Sequence, residues 1–206
     1  QIFVADADGN LIRTDIDVGW DKSGAVHHRT VLDPKTHLFG LGERATPGNR
    51  RGRTHVLWNT DPAGYTNDDD PINLNIPVYV GMAVAKEARC KKQDTGIADP
   101  ASCILHPASF LVFYENPFYA EFDLGDTAPD VADHRFAGGE LRYYLTVGSP
   151  PHLLERYTEL TGRHELPPLW MLGYQQSRWS YYPEVRVRKL AQDFRDHDVP
   201  CDAIHL

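Results

Sequence analysis

The chain has 206 residues, 41% of them apolar and 11% aromatic, which is enough to bury one large core or two small ones and excludes a disordered polypeptide. Acidic residues outnumber basic ones, 29 to 21, and the net charge of −8 opposes phosphate backbones and anionic headgroups, so neither nucleic acid nor a membrane is expected as a partner. No run approaches the ~18–20 apolar residues of a spanning helix, and the expectation is a soluble globular protein of unassigned compartment, leaning to the cytoplasm.

From Gln1 to about Gly148, short β-branched and aromatic runs alternate with Gly, Pro, Asn and Asp, the pattern of an all-β sandwich. The clearest strands are Asn75 to Ala85, Ala108 to Phe118, Tyr119 to Gly125 and Glu140 to Gly148. Hairpin-type turn signals fall at ADGN (Ala7 to Asn10), ENP (Glu115 to Pro117) and AGGE (Ala137 to Glu140). Within His37 to Arg44, the glycines at 40 and 42 indicate close backbone approach, and Glu43 reads as a structural carboxylate.

The period then changes. Ser149 suits an N-cap, Pro150 and Pro151 a first turn, Leu153, Leu154, Tyr157 and Leu160 one apolar stripe, and Gly162 a C-terminal stop. Paired prolines at 167 and 168 break this helix, and Leu169 to Ser177 reads as a buried strand. A second helix is predicted from about Pro183 to His197, with Val187, Leu190, Ala191 and Phe194 on one face, and Val199 to Leu206 reads as another buried strand. Strand, helix and strand in that order form a β-α-β unit, which needs a parallel sheet. The domains predicted are 1–148 for the sandwich, 149–168 for a connecting helix and linker, and 169–206 for the start of a parallel α/β domain.

Three cysteines without a CxxC spacing give neither a disulfide framework nor a zinc site, although Cys90 and Cys103 flank a polar loop and could pair across a hairpin. The ten histidines are scattered; His27 and His28, adjacent in a strand-like run, should face opposite ways. Neither a metal nor any other cofactor is indicated.

Four blocks, HLFGLGER (His37 to Arg44), LWNTDPAGYTNDDDPINLNIPVYVG (Leu57 to Gly81), LTGRHELPPLWMLGYQQSRWSYY (Leu160 to Tyr182) and VPCDAIHL (Val199 to Leu206), resemble in order and spacing glycoside hydrolase family 31, the α-glucosidase and α-xylosidase family. The resemblance spans nearly the whole chain and is faintest from about Lys86 to His106. It implies a mainly β protein: a galactose-mutarotase-like β-sandwich followed by the first β-α-β unit of a truncated (β/α)8 barrel. A complete barrel takes about 250 residues. The substrate implied is an α-glucoside or malto-oligosaccharide, and the activity that of a retaining exo-acting α-glucosidase.

Retaining hydrolysis needs two carboxyl groups about 5–5.5 Å apart across the scissile bond. The family's nucleophilic and acid aspartates match nothing here, so no catalytic residue is assigned, and the 206-residue chain is expected to be inactive alone. The acidic residues, Asp61, Asp68 to Asp70, Asp123, Asp126, Asp130 and Asp133, read mostly as loop residues. By position in the family blocks, Asp61 is expected to bond the sugar beyond the cleavage point, where a carboxylate can accept two hydroxyls. Trp179, directly after Arg178, matches an aromatic wall of the catalytic sugar pocket. Arg178 is expected to hold that loop or to pair with a barrel carboxylate. Competing readings are a non-catalytic carbohydrate-binding or scaffolding sandwich, or an α-xylosidase of the same family. The remaining partner expected is the rest of the same polypeptide, or a second copy, against an exposed barrel edge at Cys201 to Leu206.

Overall fold

The computed structural model describes residues 2–5, 11–83 and 109–206. These form two compact units, Gln1–Thr161 and Gly162–Leu206. The possible Cys90–Cys103 pair and the ADGN turn lie outside the described residues.

The first unit contains two antiparallel sheets. One runs in the order β1 (Ile2–Ala5), β2 (Leu11–Trp20), β3 (Val26–Val31), β9 (Val131–Phe136), β8 (Ala120–Leu124), β5 (Thr54–Leu57); the other in the order β10 (Tyr143–Gly148), β7 (Ser109–Tyr114), β6 (Asn75–Ala83), β4 (Thr36–Gly42). Alternation does what period-2 patterning requires: in β8 and β9 every second side chain is buried, and the inward residues of both sheets interdigitate. Tyr114 of one sheet meets Phe122 and Phe136 of the other at ring distances of 5.3 and 5.4 Å.

Strand β7 is buried along both faces because a helix, α1 (Pro150–Thr161), covers the outside of its sheet. Phe113 meets Tyr157 edge-on at 5.6 Å, and Leu153 is fully buried. Leu154 and Leu160, expected on the same stripe, are about half exposed, so the buried face is narrower than the apolar pattern. Gly162, at φ +98°, takes the left-handed conformation that ends the helix.

The turns at ENP and AGGE are not hairpins. Each carries the chain from one sheet to the other, β7 to β8 and β9 to β10. Turn residues encode a reversal but not the partner the next strand will find. The buried Asn116 amide ties both corners together, donating to Gly138 O at 2.9 Å and Glu140 O at 3.1 Å. Asp123 and Asp133 lie in β8 and β9, not in loops; Asp123 accepts backbone N–H bonds from Gly125, Asp126 and Thr127 and so caps the turn after its strand.

The glycines of β4 behave as close-approach residues. A Cβ on Gly42, at φ +82°, would stand 2.3 Å from Leu74 O. Arg50 fixes the same turn by donating to Gly40 O, Thr46 O and Pro47 O.

In the second unit, β11 (Gln175–Ser177) and β12 (Ala203–His205) pair in parallel, joined by α2 (Glu184–Asp196), the predicted β-α-β order. The expected buried strand from Leu169 is shorter: Leu169–Leu172 forms a 3-10 turn, and these side chains are exposed. An apolar run this short is ambiguous by period, and Pro168 starts the turn by accepting from Met171 N. Pro183 occupies the N-cap and not the first helical position. Phe194 packs against Tyr174 at 6.0 Å, and Val187 and Leu190 are half-buried, whereas Ala191 is exposed.

Along the segment expected to form an exposed edge, Cys201 is buried and Ile204 half-buried, with Arg195 donating to Cys201 O, while Leu206 is exposed. The exposed apolar residues of this unit also include Leu166, Leu169, Leu172, Trp179, Tyr182 and Val185.

Candidate functional site

Asp61 lies in the long segment between β5 and β6. Its carboxylate is exposed and touches no protein partner among the described residues. The segment around it is held at both ends. Thr60 donates its hydroxyl to Pro71 O at 2.9 Å and its backbone N–H to Ile72 O at 3.3 Å, and Ile72 is buried. Asn59 Oδ1 accepts from Asn75 N at 2.8 Å and Asn75 Nδ2 at 3.0 Å. The loop thus presents Asp61 from a braced frame, as a polar contact to a ligand requires.

Asp70 anchors the far side of the loop. It accepts from Val56 N at 2.8 Å and pairs with Arg44, whose fully buried side chain also donates to Leu41 O and Val56 O. Burial lowers the Arg44 guanidinium to about 10, with Arg50's charge adding to the effect. His55 stands beside this pair, its Nδ1 3.8 Å from Asp70. Burial drives the imidazole down to about 4; the bond from Nε2 to Arg50 O opposes this, and the charges of Arg44, Arg50 and Arg53 reinforce it. His55 is therefore neutral at pH 7, its Nε2–H donated to Arg50 O.

Arg178 and Trp179 follow β11 directly. The Arg178 guanidinium lies over the Tyr181 ring, 5.6 Å from its centroid, and the Tyr181 hydroxyl accepts from Gln176 at 2.7 Å. Ser180 adopts φ +71°, and its N–H bonds to Arg178 O, which closes a tight turn. Trp179 is 100% exposed at the tip of that turn. Arg178 thus contacts a ring of its own loop, and no carboxylate meets it among the described residues. Asp61 belongs to the first unit and Arg178 and Trp179 to the second, so each is described within its own unit.

A polar cluster that sequence reasoning did not identify lies in the sandwich core. Asp15 accepts from Arg13 Nε at 3.0 Å and from the Tyr143 hydroxyl at 2.5 Å, and His28 Nε2 stands 3.2 Å away. Arg13 also reaches the hydroxyls of Tyr79 at 3.0 Å and Tyr114 at 3.2 Å. These two tyrosines meet His134 Nε2 and His28 Nδ1, and His134 Nδ1 bonds His28 O. One proton arrangement satisfies every bond: Nδ1–H on His134, Nε2–H on His28, and each tyrosine hydroxyl donating to an imidazole while accepting from Arg13. Burial holds His134 well below its ordinary range, aided by Arg13's charge, which agrees with a neutral ring.

Burial by itself would raise the Asp15 carboxyl, but the close approach of His28 Nε2, the hydrogen bond from Tyr143 and the charge of Arg13 hold it well below the usual carboxylate range. Burial and the bond to Asp15 push Tyr143 up to about 12. The cluster contains an acid, a base and an imidazole, but Arg13, Asp15, His28 and His134 are at most 4% exposed, so no substrate reaches them. It is a structural network. A sequence signal existed in Arg13 and Asp15, two residues apart on a strand and hence on one face, but their tyrosine partners are 66 and more residues away.

Two antiparallel sheets are followed in the chain by a parallel β-α-β unit, with polar and aromatic side chains presented on loops. The comparisons make that specific. Residues 1–86 match the family model described as the glycosyl hydrolase 31 N-terminal galactose mutarotase-like domain, and residues 164–206 match the glycosyl hydrolases family 31 TIM-barrel domain. Alpha-glucosidase 2 of Bacillus thermoamyloliquefaciens is 34% identical over 178 residues, 85% of this chain and 20% of the relative. Alpha-xylosidase XylQ of Lactiplantibacillus pentosus is 28% identical, with 82% and 19% covered. A family 31 dextranase of Flavobacterium johnsoniae, solved with isomaltotriose, superposes with a TM-score of 0.80 at 27% identity, covering 98% of this chain and 22% of that one. The chain belongs to glycoside hydrolase family 31, and it spans about a fifth of the length of these relatives.

Proposed function

We propose that this chain is the sandwich and first β-α-β unit of a retaining, exo-acting α-glucosidase that cleaves α-linked glucosides. In this reading Asp61 contacts the sugar on the leaving side of the scissile bond and Trp179 forms a wall of the catalytic pocket. Arg178 positions Trp179 by stacking on Tyr181. The two catalytic carboxyls come from outside these 206 residues.

The observation that carries the reading is the Arg178–Ser180 turn. It projects a fully exposed tryptophan immediately beyond a parallel strand, the end of a barrel strand at which substrate loops gather. Its indole face suits the C–H side of a pyranose. The similarity to an α-glucosidase favours glucose, and that to an α-xylosidase names the competing sugar.

The test compares the 206-residue chain with the polypeptide of the complete reading frame, assaying chromogenic α-glucoside and α-xyloside. Turnover by the longer polypeptide only, faster on the glucoside and releasing the α-anomer first, is the expected result. Turnover by the 206-residue chain would overturn the placement of the acids, release of the β-anomer would overturn retention, and preference for the xyloside would reassign the substrate.

A further inference from the structure

A groove of about 370 Å³ opens at one end of the sandwich, where β5, β6, β8 and β9 meet. We propose that it is a second carbohydrate site, binding one glucosyl residue of an α-linked oligosaccharide. The sugar's identity rests on the function proposed above; the groove does not.

The lining chemistry selects the ligand class. None of the lining residues carries a charge, which disfavours phosphates, carboxylates and cations. The walls include Trp58 and Phe118, 53% and 49% exposed, and the polar side chains are the amides of Asn59, Asn75 and Asn116, the last of them spent on Gly138 O, Glu140 O and Phe118 N. Flat apolar faces beside neutral donors and acceptors suit a pyranose, which offers C–H faces and a rim of hydroxyls. The volume lies at the small end of the ~300–1,000 Å³ typical of ligand sites, room for a sugar ring with its hydroxyls.

The hydrogen-bonding capacity is also unspent. Asn59 uses its carbonyl on Asn75, and its Nδ2 has no partner among the described residues. Asn75 is spent on holding Asn59, donating through Nδ2 to Asn59 and to Ile72 O, and its Oδ1 is buried. A sugar hydroxyl accepts as well as donates, so the rim of a pyranose can answer the free Asn59 donor.

The groups are fixed in advance. Trp58 leans on Tyr119 with ring centroids 6.3 Å apart. Phe118 is held by its N–H bond to Asn116 Oδ1, and its ring lies where a Cβ on Gly139 would come within 2.9 Å. Preorganised aromatics keep the ordering cost of binding low.

The experiment titrates isomaltotriose and maltotriose into the 206-residue chain by calorimetry, with Trp58→Ala, Asn59→Ala and Trp179→Ala measured alongside. Saturable binding that weakens at least about tenfold in Trp58→Ala and in Asn59→Ala but stays unchanged in Trp179→Ala is expected. Binding lost in Trp179→Ala and kept in Trp58→Ala would overturn the groove while leaving the catalytic-pocket reading intact. No saturable binding of either sugar up to about 10 mM would also overturn it, whatever the longer polypeptide hydrolyses. Circular dichroism of each variant checks folding, and Phe118→Leu replaces Trp58→Ala if that variant unfolds.

Discussion

Replacing Asp15 by Asn should unfold the sandwich far more readily than the change of one atom suggests. Asp15 balances Arg13, which is 4% exposed, and accepts from Arg13 and Tyr143 with His28 at 3.2 Å. An asparagine keeps one acceptor, brings an NH2 into a ring of donors, and leaves the guanidinium buried without a counter-charge. Breaking a buried pair from one side costs about 3–5 kcal/mol, which at roughly 2–4 °C per kcal/mol for a unit of this size lowers the melting temperature by roughly 6–20 °C. Urea unfolding of the 206-residue chain, followed by far-ultraviolet circular dichroism, measures this directly. Arg13→Met should cost about as much, and the double variant should cost less than the sum of the singles by at least about 2 kcal/mol, because removing both charges leaves neither stranded. A loss below about 1 kcal/mol for Asp15→Asn, or strict additivity, would refute the reasoning.

His55 and His134 both bind protons more weakly folded than unfolded, so stability should fall as pH drops from about 6.5 toward 4. Urea midpoints measured from about pH 7 to 5 should decline, and His55→Gln, whose amide can still donate to Arg50 O, should flatten part of the slope; a level profile contradicts the assignment. Gly42→Ala should cost at least about 2 kcal/mol, since its Cβ would meet Leu74 O at 2.3 Å from a φ of +82°, and a melt shifted by less than about 2 °C would show that the turn relaxes freely. Trp179→Ala should change stability by less than about 0.5 kcal/mol yet slow α-glucoside turnover by the longer polypeptide at least about tenfold; unchanged turnover removes Trp179 from the pocket. Asp70→Asn should speed amide exchange across the Asp61 loop, at Val56 and Thr60 first, and protection equal to the wild type would mean that Arg44 does not anchor it.

What the sequence disclosed followed from local rules. Period-2 alternation located β8, and the spacing of Val187, Leu190 and Phe194 located α2 and with it the parallel pair β11 and β12, whereas β9, rich in charged and polar residues, read as loop around Asp133. Sheet membership was not legible, because ENP and AGGE carry the same turn chemistry whether the next strand returns to its neighbour or crosses the sandwich. The 3-10 turn at Leu169–Leu172 was missed because four apolar residues fit a strand and a helical turn equally well. Asp61 and Trp179 were singled out through motif position and not through their surroundings. The groove amides were invisible, since Asn59 and Asn75 acquire meaning only when bonded across sixteen residues.

The polar core and the Asp61 loop answer one physical problem. A sandwich packed by apolar contacts alone tolerates small slides between its sheets, since such contacts are non-directional. The Arg13, Asp15, His28, His134 and tyrosine network has a single proton arrangement, and it links β2, β3 and β9 of one sheet to β6, β7 and β10 of the other. Sliding the sheets breaks several bonds to buried groups at once, so the network specifies their register more strongly than it adds to stability. Arg44 and Asp70 carry that registry outward, bonding the turn after β4 and strand β5 to the far side of the loop. A contact made from a loop is only as precise as its frame. The fold therefore braces the segment that carries Asp61 with directional bonds on both sides, the precision that the proposed sugar contact at Asp61 would need.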